Sequence, residues 1–205
     1  IIGAIMARTI KMTAMPQMVA VFNGLGGAAS ALVAAGVLHG NIADGTDMPL
    51  DVSVTIMVGT LIGAVTFSGS LIAYGKLQEI VATRPVTFPL QKTISTLLFV
   101  GILATIGYLV AEPNMNVFIG LSVACLLLGI LLVIPIGGAD MPVVISLLNS
   151  YSGLAAASAG FVLGNVMLII AGALVGAAGL ILTRIMTKAM NRSLANVVFG
   201  AFGAV

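Results

Sequence analysis

The chain alternates between long apolar runs and short connections that hold most of its charged residues. A transmembrane helix needs about 20 mostly apolar residues, and six runs reach that length. We therefore predict an all-α membrane protein whose six transmembrane helices lie at about residues 16–38, 52–75, 93–111, 115–135, 142–163 and 166–187.

The apolar residues 1–7 are too few to span a membrane, and basic residues follow them rather than precede them, unlike a signal peptide. They are expected to be the end of a truncated preceding helix. We therefore expect residues 1–205 to form one transmembrane domain that is a fragment of a longer protein.

Composition excludes several classes of protein. Only 7% of the residues are charged and 60% are hydrophobic, whereas a soluble domain carries about 25% charged residues. Eight basic residues are too few for a stripe that follows nucleic-acid phosphates. The single cysteine, Cys125, excludes a disulfide framework and a cysteine-based zinc site. The expected partner is the lipid bilayer, and no nucleic acid.

Six spans divide the charged residues sharply between the two sides of the membrane. One side, the basic side, receives all the lysines and arginines, and the other, the acidic side, receives carboxylates alone. The positive-inside rule makes the basic side cytoplasmic, or the matrix side in an organelle, and the C-terminus then lies there. The basic side holds Arg8, Lys11, Lys76, Arg84, Lys92, Arg184, Lys188 and Arg192, and the acidic side holds Asp44, Asp47, Asp51 and Glu112.

The six spans differ in composition. Those at 93–111 and 115–135 are rich in Leu, Ile and Val, which is typical of helices that face lipid. The other four carry small residues at a spacing that lets two backbones approach, and they are expected to form the interior. Packing alone is the simplest explanation of the pairs Gly59 and Gly63, Gly160 and Gly164, and Gly172 and Gly176.

A two-helix unit is repeated along the sequence. Both copies enter the membrane from the basic side, so the pattern predicts a parallel repeat about an axis along the membrane normal. The first helices share Met15, Pro16, Asn23 and Gly27 with Met141, Pro142, Asn149 and Gly153, and the second helices share residues 63–65 and 71–72 with residues 172–174 and 180–181.

Asn23 and Asn149 lie about 12 Å into their helices, near the middle of a hydrocarbon core about 30 Å thick. An amide at that depth needs hydrogen-bond partners. Two interpretations remain open on the residues alone: a pair of interhelical hydrogen bonds, or a polar path to which Ser150 and its neighbours also contribute.

Two other polar residues have both a structural and a functional interpretation. Asp140 follows a glycine-rich turn at the start of a helix, where it would either cap free N–H groups or carry protons at the mouth of the path. His39 lies near the acidic side, where it would either be a surface residue or relay protons.

The sequence lacks the dinucleotide-binding glycine motif, a P-loop and a metal-ligand cluster. The residues alone therefore indicate a conduit. A free-standing secondary transporter or channel for a small solute is compatible with them, and so is a scaffolding subunit.

The chain resembles the membrane domain of the beta subunit of proton-translocating NAD(P) transhydrogenase. The resemblance runs in order along nearly the whole chain, and its most specific segments are Gly-Gly-Ala-Asp-Met-Pro and Leu-Asn-Ser-Tyr-Ser-Gly. The resembling segments are residues 13–20, 62–70, 75–77, 137–144, 148–153 and 188–193.

The resemblance implies an enzyme that transfers hydride from NADH to NADP+ in soluble domains and couples this transfer to proton entry through the membrane domain. This fragment alone would not catalyse hydride transfer. NADP(H) would bind in the protein's own domain after residue 205, and NAD(H) in an alpha subunit that also supplies further transmembrane helices. The assembly would be a homodimer in the inner (cytoplasmic) membrane of a bacterium or in the mitochondrial inner membrane.

The family's functional residues fall on matching positions here. The resemblance places the proton path at Asn149, Asp140 and Ser70, the coupling hinge at Lys188 and Arg192 and the packing glycines at Gly172, Gly176 and Gly179. The polar residues Asn23 and Ser150, identified above at the same depth, are expected to belong to the same path.

Asn23 occupies a position that is a histidine in some members of the family. An amide does not titrate near neutral pH. The resemblance therefore implies that the titrating group lies on a helix of a companion subunit, close to Asn23 and Asn149.

Overall fold

The computed structural model describes residues 5, 8–11 and 14–199, with side chains through residue 197. The expected end of a preceding helix, at residues 1–7, lies mostly outside the described residues. Within the described part, six helices are long and apolar enough to cross a membrane, as predicted. They are α1 (Met15–Asp44), α2 (Leu50–Leu77), α3 (Gln91–Ala111), α4 (Met115–Val133), α5 (Met141–Val162) and α6 (Val166–Ala189), and the short α7 (Leu194–Phe199) follows them.

Two helices end at other residues than the apolar runs predict, because backbone hydrogen bonds determine where a helix ends. Helix α1 continues to Asp44, six residues past the predicted end, because helical hydrogen bonding persists beyond the apolar run until Gly45 adopts a left-handed φ of 62°. Helix α4 ends at Val133, two residues early, because the carbonyl of Ile134 turns to accept from Lys76 Nζ and from the N–H of Val86.

Hydrogen bonds between helix ends define the basic side of the bundle. Gln17, at the start of α1, donates to the carbonyl of Leu77 at the end of α2. Gln91, at the start of α3, donates to Leu131 near the end of α4. Since consecutive helices run in opposite directions, the starts of α1, α3 and α5 lie together with the ends of α2, α4 and α6.

Helices α2 and α5 occupy the centre of the bundle. Helix α2 packs against α1, α4 and α5, and α5 packs against α1 and α6. Two apolar clusters fill the contacts. One includes Leu38, Ile56, Met57, Phe118, Leu121, Cys125 and Leu128, and the other, toward the basic side, includes Ala20, Ala73, Val133, Ile136, Met141, Val144 and Leu148.

The predicted division into lipid-facing and interior helices is correct for α3 but wrong in part for α4 and α6. Helix α4 buries one face against α2, because Gly129 lets it approach the backbone of Val65. Helix α6 is exposed over most of its surface and contacts α5 along one narrow face. A glycine spacing therefore identifies a face that packs, whereas it does not identify a helix that is buried all round.

The two copies of the repeat make the same helix–helix contact. In the first copy, a methyl group on Gly63 would lie 2.6 Å from the carbonyl oxygen of Gly27. In the second copy, a methyl group on Gly172 would lie 2.6 Å from the carbonyl oxygen of Gly153. These four glycines occupy matching positions in the sequence repeat. The α1–α2 pair and the α5–α6 pair thus close at equivalent points, which supports the parallel repeat.

Candidate functional site

Asn23 lies in the central interface, where α1 packs against both α2 and α5. Its side chain is only 5% exposed, and its Nδ2 donates a hydrogen bond of 3.2 Å to the carbonyl oxygen of Ile145. Gly24, beside it, faces α2, and a methyl group there would lie in ordinary contact, 3.5 Å from Cβ of Ser70. The interface therefore links α1 to α5 through Asn23 and places Ser70 of α2 against Gly24, the next residue of α1.

Two hydroxyl groups of α2 have no protein partner in this interface. Thr66 and Ser70 are both 0% exposed, and neither Oγ1 of Thr66 nor Oγ of Ser70 has a hydrogen bond among the described residues. Their positions, four apart, place them on one face of the helix. An unpaired buried hydroxyl costs about 1–3 kcal/mol, and a buried water molecule is the usual means of satisfying it.

Thr66 is a site residue that the sequence analysis did not identify. Other hydroxyl side chains of α2 bond to their own helix, as Thr60 does to the carbonyl of Ile56 and Ser68 to that of Ala64. Thr66 and Ser70 do not. The sequence does show that Thr66 and Ser70 are four residues apart. This spacing does not reveal whether a hydroxyl bonds to its own helix, and so it does not identify Thr66 as a site residue.

Asn149 lies on α5, one helical turn beyond Ile145, the residue that Asn23 contacts. Its side chain is half-buried and makes no hydrogen bond to the described residues, whereas its backbone carbonyl accepts one of 2.8 Å from the hydroxyl of Ser152. The amide of Asn149 is therefore available to water or to a partner chain. It lies at about the same depth in the membrane as Asn23, whose amide is hydrogen-bonded to Ile145.

Ser150 lies on a different face of α5 from the contact with Asn23. Its hydroxyl donates a hydrogen bond of 2.7 Å to the carbonyl of Gly176, and Ser146, one turn earlier, donates one of 3.1 Å to the carbonyl of Gly179. Both serines bind the backbone of α6. The structure thus assigns Ser150 a packing contact in the α5–α6 interface, and it adds Ser146, which the sequence analysis did not identify.

The packing glycines of α6 differ in how much space surrounds them. A methyl group would lie 2.6 Å from the carbonyl of Gly153 if added at Gly172, and 2.6 Å from the backbone nitrogen of Ser150 if added at Gly179. At Gly176 the nearest atom would lie 3.4 Å away, which is ordinary van der Waals contact. Gly172 and Gly179 are therefore the positions where only glycine fits.

Asp140 forms an ion pair at the basic side of the bundle. Nη1 of Arg192 lies 2.6 Å from Oδ2 of Asp140, whose side chain is 13% exposed against 52% for Arg192. Asp140 stands at the N-cap position of α5 but makes no side-chain cap hydrogen bond, so the capping interpretation is wrong. The backbone of Asp140 is already helical (φ −92°, ψ −4°), whereas a residue that caps a helix usually has extended backbone angles. Oδ1 remains buried without a partner among the described residues.

A turn after α6 carries Arg192 to Asp140. Lys188 is exposed in the last turn of α6, and Asn191 adopts a left-handed φ of 52° that reverses the chain. The N–H of Arg192 then donates to the carbonyl of Thr187. The predicted hinge residues thus differ in structure: Arg192 contacts the membrane bundle directly, whereas Lys188 faces outward.

Lys76 fixes the loops beside this ion pair. The residue is 0% exposed, and its Nζ donates to the carbonyls of Ile134 at 2.6 Å, Ile136 at 2.8 Å and Arg84 at 3.3 Å. It therefore holds the segment before Asp140 against the end of α2. A cleft of about 520 Å³ opens above it, and its lining residues include Lys76, Thr83, Arg84, Pro85, Gly137 and Gly138.

His39 does not lie with the other candidate residues. His39 is exposed on α1 near its acidic-side end, away from the central interface. Among residues 5, 8–11 and 14–199, no group of three or more His, Cys, Asp or Glu side chains could hold a metal ion.

The comparisons with known proteins agree with one another. The family model described as NAD(P) transhydrogenase beta subunit matches residues 1–205. Curated relatives from Rhodospirillum rubrum, named NAD(P) transhydrogenase subunit beta, are 49% identical over 207 residues. This similarity covers 99% of the chain but only 45% of the relatives, so the chain spans less than half the length of the curated proteins it matches.

Proposed function

Since the chain belongs to the NAD(P) transhydrogenase beta subunit family, we propose that it is the membrane domain through which protons cross during hydride transfer between NADH and NADP+. Hydride transfer itself would take place in soluble domains outside this chain. When bound there, the two nucleotides supply the hydride donor and acceptor, and the residues described here act only on the proton.

The observation that carries this proposal is the pair of buried hydroxyls of Thr66 and Ser70, which have no hydrogen-bond partner among the described residues. They lie against α1 at Gly27 and Gly24, and Gly24 directly follows Asn23. Water bound to these groups would extend a hydrogen-bonded path toward the half-buried amide of Asn149. Amides and hydroxyls orient water without holding a proton near neutral pH. The group that titrates therefore belongs, in this proposal, to a transmembrane helix of an alpha subunit that lies against Asn23 and Asn149.

Coupling is proposed to run through the ion pair between Asp140 and Arg192. Asp140 belongs to the start of α5, the helix that carries Asn149, and Arg192 belongs to the chain that leaves the membrane after α6. A change of protonation or hydration near Asn149 would shift α5 and hence the position of this outgoing segment, Lys188–Arg192. Such coupling requires two states of the bundle that differ in proton affinity and in nucleotide affinity.

The remainder of the assembly follows from this proposal. NADP(H) would bind in a further domain of the same protein, consistent with relatives more than twice as long as this chain. NAD(H) and additional helices would come from alpha subunits, and the whole would be a homodimer. The basic side would face the cytoplasm of a bacterium or the mitochondrial matrix, as the positive-inside rule indicates.

The test uses the full complex reconstituted in sealed vesicles with the nucleotide domains outside. Internal pH is followed while NADH reduces an NADP+ analogue. We expect internal pH to change with hydride transfer and the change to collapse when an uncoupler is added. Hydride transfer at full rate with no change in internal pH would contradict the proposal. Proton or solute movement that needs no nucleotide would favour the alternative, a free-standing secondary transporter or channel.

A further inference from the structure

The ammonium group of Lys76 is a buried charge whose hydrogen bonds all go to backbone. It lies in the last turn of α2, is 0% exposed, and donates to three carbonyl oxygens. A lysine has three donors, so these bonds use its full capacity. Burying a charge is costly, and apolar side chains of similar volume often replace buried charged groups without loss of stability. Stability alone therefore does not explain a lysine at this position.

The three carbonyls belong to two separate loops. Those of Ile134 and Ile136, at 2.6 and 2.8 Å, directly follow α4, where backbone carbonyls lack partners within the helix. That of Arg84, at 3.3 Å, lies in the loop that joins α2 to α3. The two loops also bond to each other, since the N–H of Gly138 donates to the carbonyl of Thr83 at 2.8 Å. The ammonium therefore ties both loops to the end of α2 at the point where they meet.

The turn after Ile136 carries Asp140, four residues later in the chain. It is short and hydrogen-bonded: Gly138–Asp140 form one turn of 3-10 helix, and the N–H of Asp140 donates to the carbonyl of Gly137 at 3.0 Å. The position of Ile136 therefore fixes that of the carboxylate, whose Oδ2 lies 2.6 Å from Nη1 of Arg192. A side-chain hydrogen bond is lost beyond about 3.5 Å, so a displacement of about 1 Å is enough to break the pair.

We propose that Lys76 is a positioning residue, which holds the turn before Asp140 in place so that the carboxylate reaches Arg192. The role of Lys76 in coupling rests on the function proposed above, in which this ion pair connects the membrane bundle to the segment that leaves it. Lys76 acts on the pair through the backbone of Ile136 and the turn that follows. It is thus separate from the polar side chains of the central interface.

The test combines two measurements on the full complex: hydrogen–deuterium exchange by mass spectrometry, and proton-coupled hydride transfer in sealed vesicles. Lys76→Met removes the ammonium and keeps a side chain of similar length. Exchange should become faster in residues 134–140 and also in residues 187–193, because Arg192 loses its anchor. Coupled transfer should fall about tenfold, the loss expected when a hydrogen bond to a charged group no longer forms. In an Arg192→Gln background, Lys76→Met should cause no further loss, because no pair remains to be positioned.

Gln91→Met is the matched control, because it removes another buried polar side chain from the same side of the bundle. Gln91 is 2% exposed and anchors the other end of the loop at 78–90, through bonds with Leu131 and Phe88. Its loss should lower the midpoint of thermal unfolding but leave both exchange in residues 187–193 and coupled transfer as in wild type. Lys76→Gln, which keeps two donors, should show the changes of Lys76→Met to a smaller degree, and it replaces that variant if the complex does not assemble.

Three results would overturn the positioning role of Lys76. They are unchanged exchange in residues 187–193 in the Lys76 variants, losses of transfer that multiply when Lys76→Met is combined with Arg192→Gln, and an equal loss of transfer in Gln91→Met. Faster exchange in both segments with transfer at the wild-type rate has a different meaning. It would support the position that Lys76 gives Asp140 and would contradict coupling through the ion pair, which belongs to the function proposed above.

Discussion

Replacement of Arg192 by glutamine in the full complex is expected to lower proton-coupled hydride transfer by about tenfold, equivalent to about 1.4 kcal/mol. The guanidinium of Arg192 is the only charged partner of Asp140 among the described residues, and the carboxylate is almost buried. Without the guanidinium, neither carboxylate oxygen of Asp140 would have a donor among the described residues, because Oδ1 already has none. A hydrogen bond to a charged group contributes about 1.5–3 kcal/mol, and half-exposure of the arginine places the effect at the low end.

A double-mutant cycle tests whether the two residues act together. Asp140→Asn alone should cause a loss similar to that of Arg192→Gln, and the double variant should be no worse than the poorer single variant. Arg184→Gln, which removes an exposed arginine of α6, is the control and should behave as wild type. The rate is measured in vesicles, together with binding of NADP(H) by fluorescence. Additive losses in the double variant would contradict a functional ion pair.

Substitution of Gly172 by alanine should destabilise the domain by about 1–3 kcal/mol, the usual cost of overpacking a tight contact. The new methyl group would lie 2.6 Å from the carbonyl of Gly153 and would also meet the backbone nitrogen of Ala157. Since both obstacles are backbone atoms, α6 has to move away from α5. That movement breaks the hydrogen bonds of Ser146 and Ser150 to the backbone of α6.

Gly176→Ala on the same helix is the matched control, because its methyl group would make only ordinary van der Waals contacts, with the side chain of Leu154 at 3.4 Å and the carbonyl oxygen of Ser150 at 3.5 Å. Gly101→Ala on α3 is a second, since nothing lies within 4 Å. Thermal unfolding of the purified complex should show a lower midpoint for Gly172→Ala alone. Equal midpoints for Gly172→Ala and Gly176→Ala would show that the close approach of α5 and α6 is not required.

The number of spans and the repeat could be predicted from the sequence, because both depend on local apolar length and on residue identity at matched positions. Burial could not. Lys76 looks like a surface lysine at the end of a helix, and it is buried only because the loops at 78–90 and 134–138 fold over it. The exposure of α6 was likewise missed, because a glycine spacing gives the face of contact and not the number of neighbours.

The candidate site could be predicted in part. Asn23 and Asn149 stand out in the sequence because amides are costly at that depth. The environment of each side chain depends on the packing of separate helices: Ser150 bonds to the backbone of α6, Thr66 and Ser70 lack partners in the described residues, and Asp140 binds Arg192, 52 residues away in the chain. Sequence spacing along one helix does not determine these contacts.

The central claim is that protons cross beside Asn149, and its most direct test compares Asn149→Ala with Asn116→Ala in the full complex in sealed vesicles. Asn116 is an exposed asparagine near the start of α4 on the acidic side. We expect Asn149→Ala to bind both nucleotides but to move no protons during hydride transfer, while Asn116→Ala moves them at the wild-type rate. Proton movement at the wild-type rate in Asn149→Ala would show that protons do not cross beside Asn149.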